Sequence, residues 1–366
     1  MFGDYEAQRH WMEITTNLPI TEWYRNSSQN DLMYWGLDYP PLSAYHMYLN
    51  GKAGSWLNES FVALNTSRGL ESHDHKVFMR STVLVSDILF FFTAIIAYWK
   101  TLQATPRAIA ASLLYPAIIL VDHGHFQYNC VSLGLTVWAV VFLVRDKHCS
   151  ASVAFTLALN YKQISMYHSL PFFAYLLAAC WNQTSRRQKF IHLFKISSVV
   201  IATFALCWIP FLWDSSDTLA VLHRLVPIDR GLFEDKVANV WCSLEVLIKL
   251  RKHYDATALL KLSSLATLIA ALPSSIHLFL VPSIRNFKYS LVQSSLAFFL
   301  FSFQVHEKGI LLTGVAATLL LHEHPLLVSW FYVVSTFRSV ANRGCLHIEW
   351  LSGSSLLRRN FRSRYG

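Results

Sequence analysis

Charge is what this chain has least of: 14% of its 366 residues are Asp, Glu, Lys or Arg, against 54% hydrophobic. A soluble domain carries roughly 25% charged residues, so water is not the main solvent for most of this surface. Paired cysteines are missing as well. The six cysteines are scattered, none in a CxxC pair, and most lie in apolar runs where Cys acts as a small buried hydrophobe. That spacing indicates neither a disulfide framework nor a zinc site. Met1 to Asn17 contains no basic stretch followed by an apolar one, so no signal peptide is read there. No internal repeat or low-complexity tract stands out.

What is present is an alternation of apolar runs and short basic clusters. The runs fall near 78–99, 108–121, 130–144, 149–160, 165–181, 190–213, 256–281, 289–305, 309–321 and 325–337. Between them sit Lys100 and Arg107, Arg145 and Lys147, Arg186, Arg187 and Lys189, then Arg285 and Lys288. The net charge of +9 is therefore spread through loops, as the positive-inside bias arranges it, and not gathered into a nucleic-acid-binding face. The expected fold class is all-α, a polytopic membrane helical bundle of about nine spans. A straight crossing needs about 20 residues. Several runs are shorter, so some helices are expected to end in a protein-lined cavity or to re-enter.

Three regions follow. Residues 1–77 are polar and aromatic and read as a luminal loop region. Residues 78–337 form the helical bundle, and 338–366 form a divergent Arg-rich tail with Arg338, Arg343, Arg358, Arg359, Arg362 and Arg364. If the basic clusters face the cytosol, residues 1–77 lie in the lumen, as do 122–129 and 160–163. The sequons at Asn26, Asn58 and Asn65 fall in that luminal head, whereas Asn182 sits beside Arg186 and Arg187 on the other side. Segment 236–252 is read as a luminal interfacial helix, because Arg285 and Lys288 have no acidic neighbour in sequence to offset them.

Polar groups at membrane depth are costly and mark function. Here they concentrate at the luminal ends, in Phe2–Trp11, Trp35–Pro41, Asp122–Asn129, Asn160–Gln163, Pro227–Lys236 and Gln304–Lys308. Carboxylates able to take a hydroxyl proton, cations able to neutralise a phosphate, and aromatic rings able to stack on sugars suit glycosyl transfer. Duller explanations exist for each. Asp38-Tyr-Pro-Pro41 also reads as a turn. Asp122-His-Gly-His125 invites a metal but reads better as a hydrogen-bonded helix end. Glu307 and Lys308 make a plausible interfacial ion pair, and Asp229 to Lys236 a solvated loop.

Taken together, Gly3–Trp11, Trp35–Pro41, Gly124–Asn129, Asp229–Asn239 and Phe301–Lys308 resemble, in the same order, the dolichyl-phosphate-glucose-dependent α-1,3-glucosyltransferases of N-glycan precursor assembly. The likeness runs from about Phe2 to about Phe337 and is greater to the members adding the first glucose than to those adding the second. It implies a GT-C type membrane fold with a luminal first loop in the endoplasmic reticulum. The implied donor is dolichyl-phosphate glucose and the acceptor a dolichyl-pyrophosphate oligosaccharide. The implied reaction is an inverting displacement with no metal or other cofactor. By that likeness Asp4 is the general base. Asp38, with Glu6 and Arg9, supports the acceptor or the base. His306, Lys308 and Arg230 are assigned from their charge and side to the departing dolichyl phosphate. The family begins with a transmembrane helix ahead of its Gly-Asp motif and continues beyond the part matching Phe337. The chain therefore reads as a shortened member, with an inert isoform as the alternative. Membrane lipids are the other expected partner, and the oligomeric state is left open.

Overall fold

A computed structural model describes residues 3–225, 239–303 and 305–336, so Arg230, most of the Asp229–Asn239 motif and the Arg-rich tail lie outside the described residues. Every regular element among the described residues is helical. The segment before residue 78, read above as a loop, is itself largely helical. Helix α1 (Asp4–Asn17) starts where Gly3 takes φ 80° and ψ −155°, a backbone state that essentially only glycine reaches without strain. Asp4 and Glu6 then sit in the first turn, where the helix dipole favours negative charge. Helix α2 (Pro41–Leu57) begins on a proline, whose missing N–H costs nothing at the first helical position.

The bundle follows. Helix α3 (His73–Thr101) is capped by the Ser72 side chain and passes through a π-helical stretch at Asp87–Phe92. Helix α4 (Pro106–Leu113) breaks ahead of Pro116, so the apolar run 108–121 is two pieces. Helices α5 (Asn129–Val144), α6 (His148–Tyr161), α7 (Ser169–Trp181) and α8 (Arg186–Trp208) run up and down in turn. Short α9 (Ser215–Leu225) and α10 (Val240–Ile248) precede α11 (Ala256–Leu280), α12 (Ile284–Phe301), α13 (Ile310–Thr318) and α14 (Pro325–Thr336). Close approach is built in where it is needed. A Cβ on Gly134 of α5 would stand 2.6 Å from the Phe90 carbonyl of α3, so only glycine fits that crossing.

Three described helices are long and apolar enough to cross a membrane: His73–Thr101, Arg186–Phe211 and Ala256–Leu280. On the last two, Phe190, Phe194, Ile201, Leu265, Ile269 and Leu280 point outward and are mostly exposed. Such faces suit lipid, where apolar exposure carries no cost. The remaining helices are shorter. Helix α6 has 14 residues, or about 21 Å, against a hydrocarbon core of about 30 Å. Helix α10 has nine residues and cannot cross. Its Trp241 indole donates to the Phe301 carbonyl at 2.7 Å.

The up-and-down course sorts the loops into two ends. Arg145 donates to Thr101, and Asp146, His148, Gln183, His192 and Pro282 surround one cleft, so the basic loops share one end. There the pairing of Arg285 and Lys288 departs from the sequence reading. Both meet Glu323, Arg285 at 3.1 Å, an acid 35 or more positions away that local sequence does not reveal. The polar motifs gather at the opposite end.

Candidate active site

Helix α1 brings its first turn against the turn Glu307–Gly309, and Lys308 Nζ donates to Asp4 Oδ2 at 2.7 Å. The ammonium is buried, while the carboxylate keeps 27% of its side-chain surface open. Burial pushes the Asp4 carboxyl up, but Lys308, with a hydrogen bond from Gln127, outweighs it and holds the group below the usual aspartate range. Behind this pair lies a second cation. Lys162, 4% exposed, donates to Gln127 Oε1 at 2.7 Å and to Asn129 Oδ1, and its ammonium lies 4.6 Å from the Tyr39 ring centre. Burial and the neighbouring Lys308 ammonium hold Lys162 well below the usual lysine range. The carboxylates acting on it are Asp122, Asp4 and Asp38.

The turn carrying Asp38 is gripped from many directions. Five consecutive carbonyls each accept from a distant side chain. Trp11 reaches Trp35 at 2.7 Å, and Arg224 reaches Gly36 and Leu37 at 2.9 and 3.1 Å. Gln163 reaches Asp38 at 3.1 Å and Tyr24 reaches Tyr39 at 2.7 Å. Trp35 itself holds φ 52°, a left-handed state costly for a bulky residue, so the surroundings impose it. Asp38-Tyr-Pro-Pro41 is a turn, and it is also a held platform beside Lys162.

Glu6 and Arg9 are fully buried, at 0% exposure. Arg9 bonds Glu6 at 2.6 Å, Glu13 at 2.7 Å and the Ser67 hydroxyl. Glu6 also accepts from Tyr34, and Glu13 from the Asn65 backbone N–H. The cluster joins α1 to the Tyr34 turn and to residues 65–67. Its role toward Asp4 is to hold the helix that presents it. His306 is half-buried next to Lys308 and accepts weakly from its backbone N–H at 3.4 Å.

The two imidazoles after Asp122 go to different partners. His123 bonds Asp87 at 2.6 Å, and His125 faces Glu307 at 3.7 Å. Asp122 accepts from Asn129 Nδ2 at 2.6 Å and from the Cys130 backbone N–H at 2.7 Å, so the helix-end hydrogen-bond reading describes it. Asp87, Asp122 and Cys130 are close enough to share an ion, all three buried. Glu307 and Lys308 do not pair with each other in the observed ion pairs; each faces a residue from elsewhere.

Lys162, Gln127 and Asn129 were not singled out from sequence as site residues, although each lies in a polar stretch noted there. A lysine directly after an apolar run, flanked by Asn160 and Gln163, was the available signal.

A model of the ALG6, ALG8 glycosyltransferase family matches residues 1–341. The chain belongs to that family. It is similar to the dolichyl pyrophosphate Man9GlcNAc2 alpha-1,3-glucosyltransferase of Gallus gallus, with 52% identity over 342 residues, covering 92% of this chain and 68% of that protein. The Rattus norvegicus protein of the same name is 50% identical over 342 residues, with the same coverage. A probable enzyme of that name from Drosophila melanogaster is 49% identical over 343 residues, covering 92% of this chain and 72% of the relative. The family is one of membrane glycosyltransferases, which agrees with the all-α bundle and its long apolar helices.

Proposed function

We propose that this glycosyltransferase moves glucose from dolichyl-phosphate glucose onto the terminal mannose of dolichyl-pyrophosphate-linked Man9GlcNAc2, in α-1,3 linkage and with inversion. The relatives' names supply the acceptor, and the polar end of the bundle supplies the chemistry. The observation that carries the reading is the Asp4–Lys308 pair, which joins residues 304 positions apart at a partly open carboxylate. Asp4 takes the proton of the mannose 3-hydroxyl as that oxygen attacks glucose C1. The C1–O bond to phosphate breaks and its electron pair stays on the phosphate oxygen. Lys308, His306 and Arg230 neutralise that oxygen, and Asp38 on its held turn orients the acceptor. No cofactor enters this scheme. The site works on the luminal face of the endoplasmic reticulum membrane, opposite the basic loops.

The test is transfer in lipid nanodiscs with dolichyl-phosphate glucose and acceptors carrying no glucose or one glucose. One glucose added to the unglucosylated acceptor is the expected product. Preference for the monoglucosylated acceptor would assign the second step instead, and no transfer to either would overturn the reading. Asp4→Asn is expected to lower turnover by about a hundredfold or more.

A further inference from the structure

The contact that marks the site also poses a difficulty for it. A carboxylate bonded to a buried ammonium at 2.7 Å is a poorer base than a free one. The charge balance of the transfer removes the difficulty. As mannose oxygen bonds to C1, its proton goes to Asp4, which passes from one negative charge to none. At the same time the phosphate passes from a diester with one negative charge to a monoester approaching two, about −1.5 to −2 at neutral pH. One negative charge leaves Asp4 and appears on the phosphate.

We propose that Lys308 serves both ends of this movement, paired with Asp4 before the donor binds and handed to the phosphate as the C1–O bond breaks. One side chain then masks the base in the empty enzyme and stabilises the leaving group in the transition state. The inference rests on the reading of Asp4 as base and of a phosphodiester donor.

The two lysines of the site differ in the way this requires. Lys162 is pinned in place by Gln127, Asn129 and the Tyr39 ring. Lys308 stands in a short 3-10 turn, and its observed ammonium bond is the one to Asp4. The other groups acting on Asp4 stay in place. They are Gln127 and Lys162 behind it and Tyr39 from the turn, with Asp38 and Asp122 acting through Lys162. His306 precedes Lys308 by two residues, and Glu307 is occupied by His125. Binding energy realised only as the phosphate charges up raises turnover and not merely affinity.

Rates against pH in nanodiscs, with Lys308→Met, Lys308→Arg and Asp4→Asn beside the parent, test the exchange. Lys308→Met is expected to lose about a hundredfold or more in kcat. Its acidic limb in kcat/KM for the acceptor should move to higher pH, because Asp4 has lost its counter-ion. Lys308→Arg should restore part of the rate and return the limb toward the parent position. In the parent, binding a non-transferable phosphonate analogue of the donor, whose bond to C1 stays intact, should take up no protons, read by calorimetry in two buffers. Proton uptake there would place the handover before bond breaking and overturn the exchange. A limb unmoved in Lys308→Met would make the residue a simple phosphate ligand and overturn the exchange. So would a moved limb with parental kcat, which is the signature of a mere counter-ion. Full activity of Asp4→Asn would instead remove the base assignment itself. Melting curves of each variant separate these outcomes from misfolding.

Discussion

The two ends of the bundle treat charge in opposite ways. At the end holding Asp4, Glu6, Arg9, His10 and Glu13 are all at 0% exposure, and Lys162 and Lys308 are nearly as deep. At the other end Lys100, Arg107, Arg145, Lys147, Arg186 and Arg187 all lie open to the surroundings. A buried ion costs several kcal/mol unless partners and hydrogen bonds compensate it, so every buried charge has a defined geometry. An exposed one gains little from any single neighbour, as with Arg145 on Thr101 or Arg285 on Glu323, and acts mainly by its sign. The first arrangement places atoms, and the second orients the chain.

The contrast is broken most severely at Arg9. Arg9→Met leaves Glu6 and Glu13 as uncompensated buried carboxylates, with an expected loss of about 3–5 kcal/mol. Thermal melting in detergent reads it. Lys147→Met at the far end should stay within about 0.5 kcal/mol. Equal effects would erase the difference between the ends. A milder test uses acid. Burial pushes the Glu13 carboxyl up, but His10 and Arg9 outweigh it and hold it at about 2, against an ordinary value of 4.5. A carboxyl depressed in the folded state stabilises above its unfolded value. That contribution is lost as pH falls from about 4.5 toward about 2. The melting temperature should drop through that window, and drop less in Glu13→Gln.

Arg224→Ala comes next. Two carbonyls of the Asp38 turn lose their donor, and KM for the acceptor should rise about tenfold while donor KM holds, with Arg224→Lys partly restoring it. A uniform loss of stability with unchanged KM would make that grip structural only. The smallest effect concerns sidedness. Asn26, Asn58 and Asn65 are exposed at the site end, and Asn182 is exposed at the basic end. Glycopeptide mapping should find glycans in the first group and none at Asn182. A glycan at Asn182 would invert the orientation.

Much of this was legible in the sequence because short motifs carry it. Asp4 stands in one such motif and Lys308 in another, whereas the helix that starts at Gly3-Asp4 lay in a stretch read as a loop. The all-α membrane class follows from the apolar runs. The partners of these groups were not legible. Lys162 meets Gln127 across 35 positions and Asp4 meets Lys308 across 304, and no local pattern encodes such pairs. Glu6 and Arg9 share a motif with Asp4, yet their helical positions turn them inward to Glu13 and Ser67. Glu323 was missed as the partner of Arg285 and Lys288 for the same reason: tertiary packing alone brings it near.

The held turn at Trp35–Tyr39 has a consequence for how the protein matures. Its clasps come from Trp11, Tyr24, Gln163 and Arg224, which leave the ribosome over a span of more than two hundred residues. The turn therefore cannot be fully clasped during early synthesis, and the Gly36 and Leu37 carbonyls wait for the helix bearing Arg224. The turn's last clasps are thus set by the part of the chain made latest.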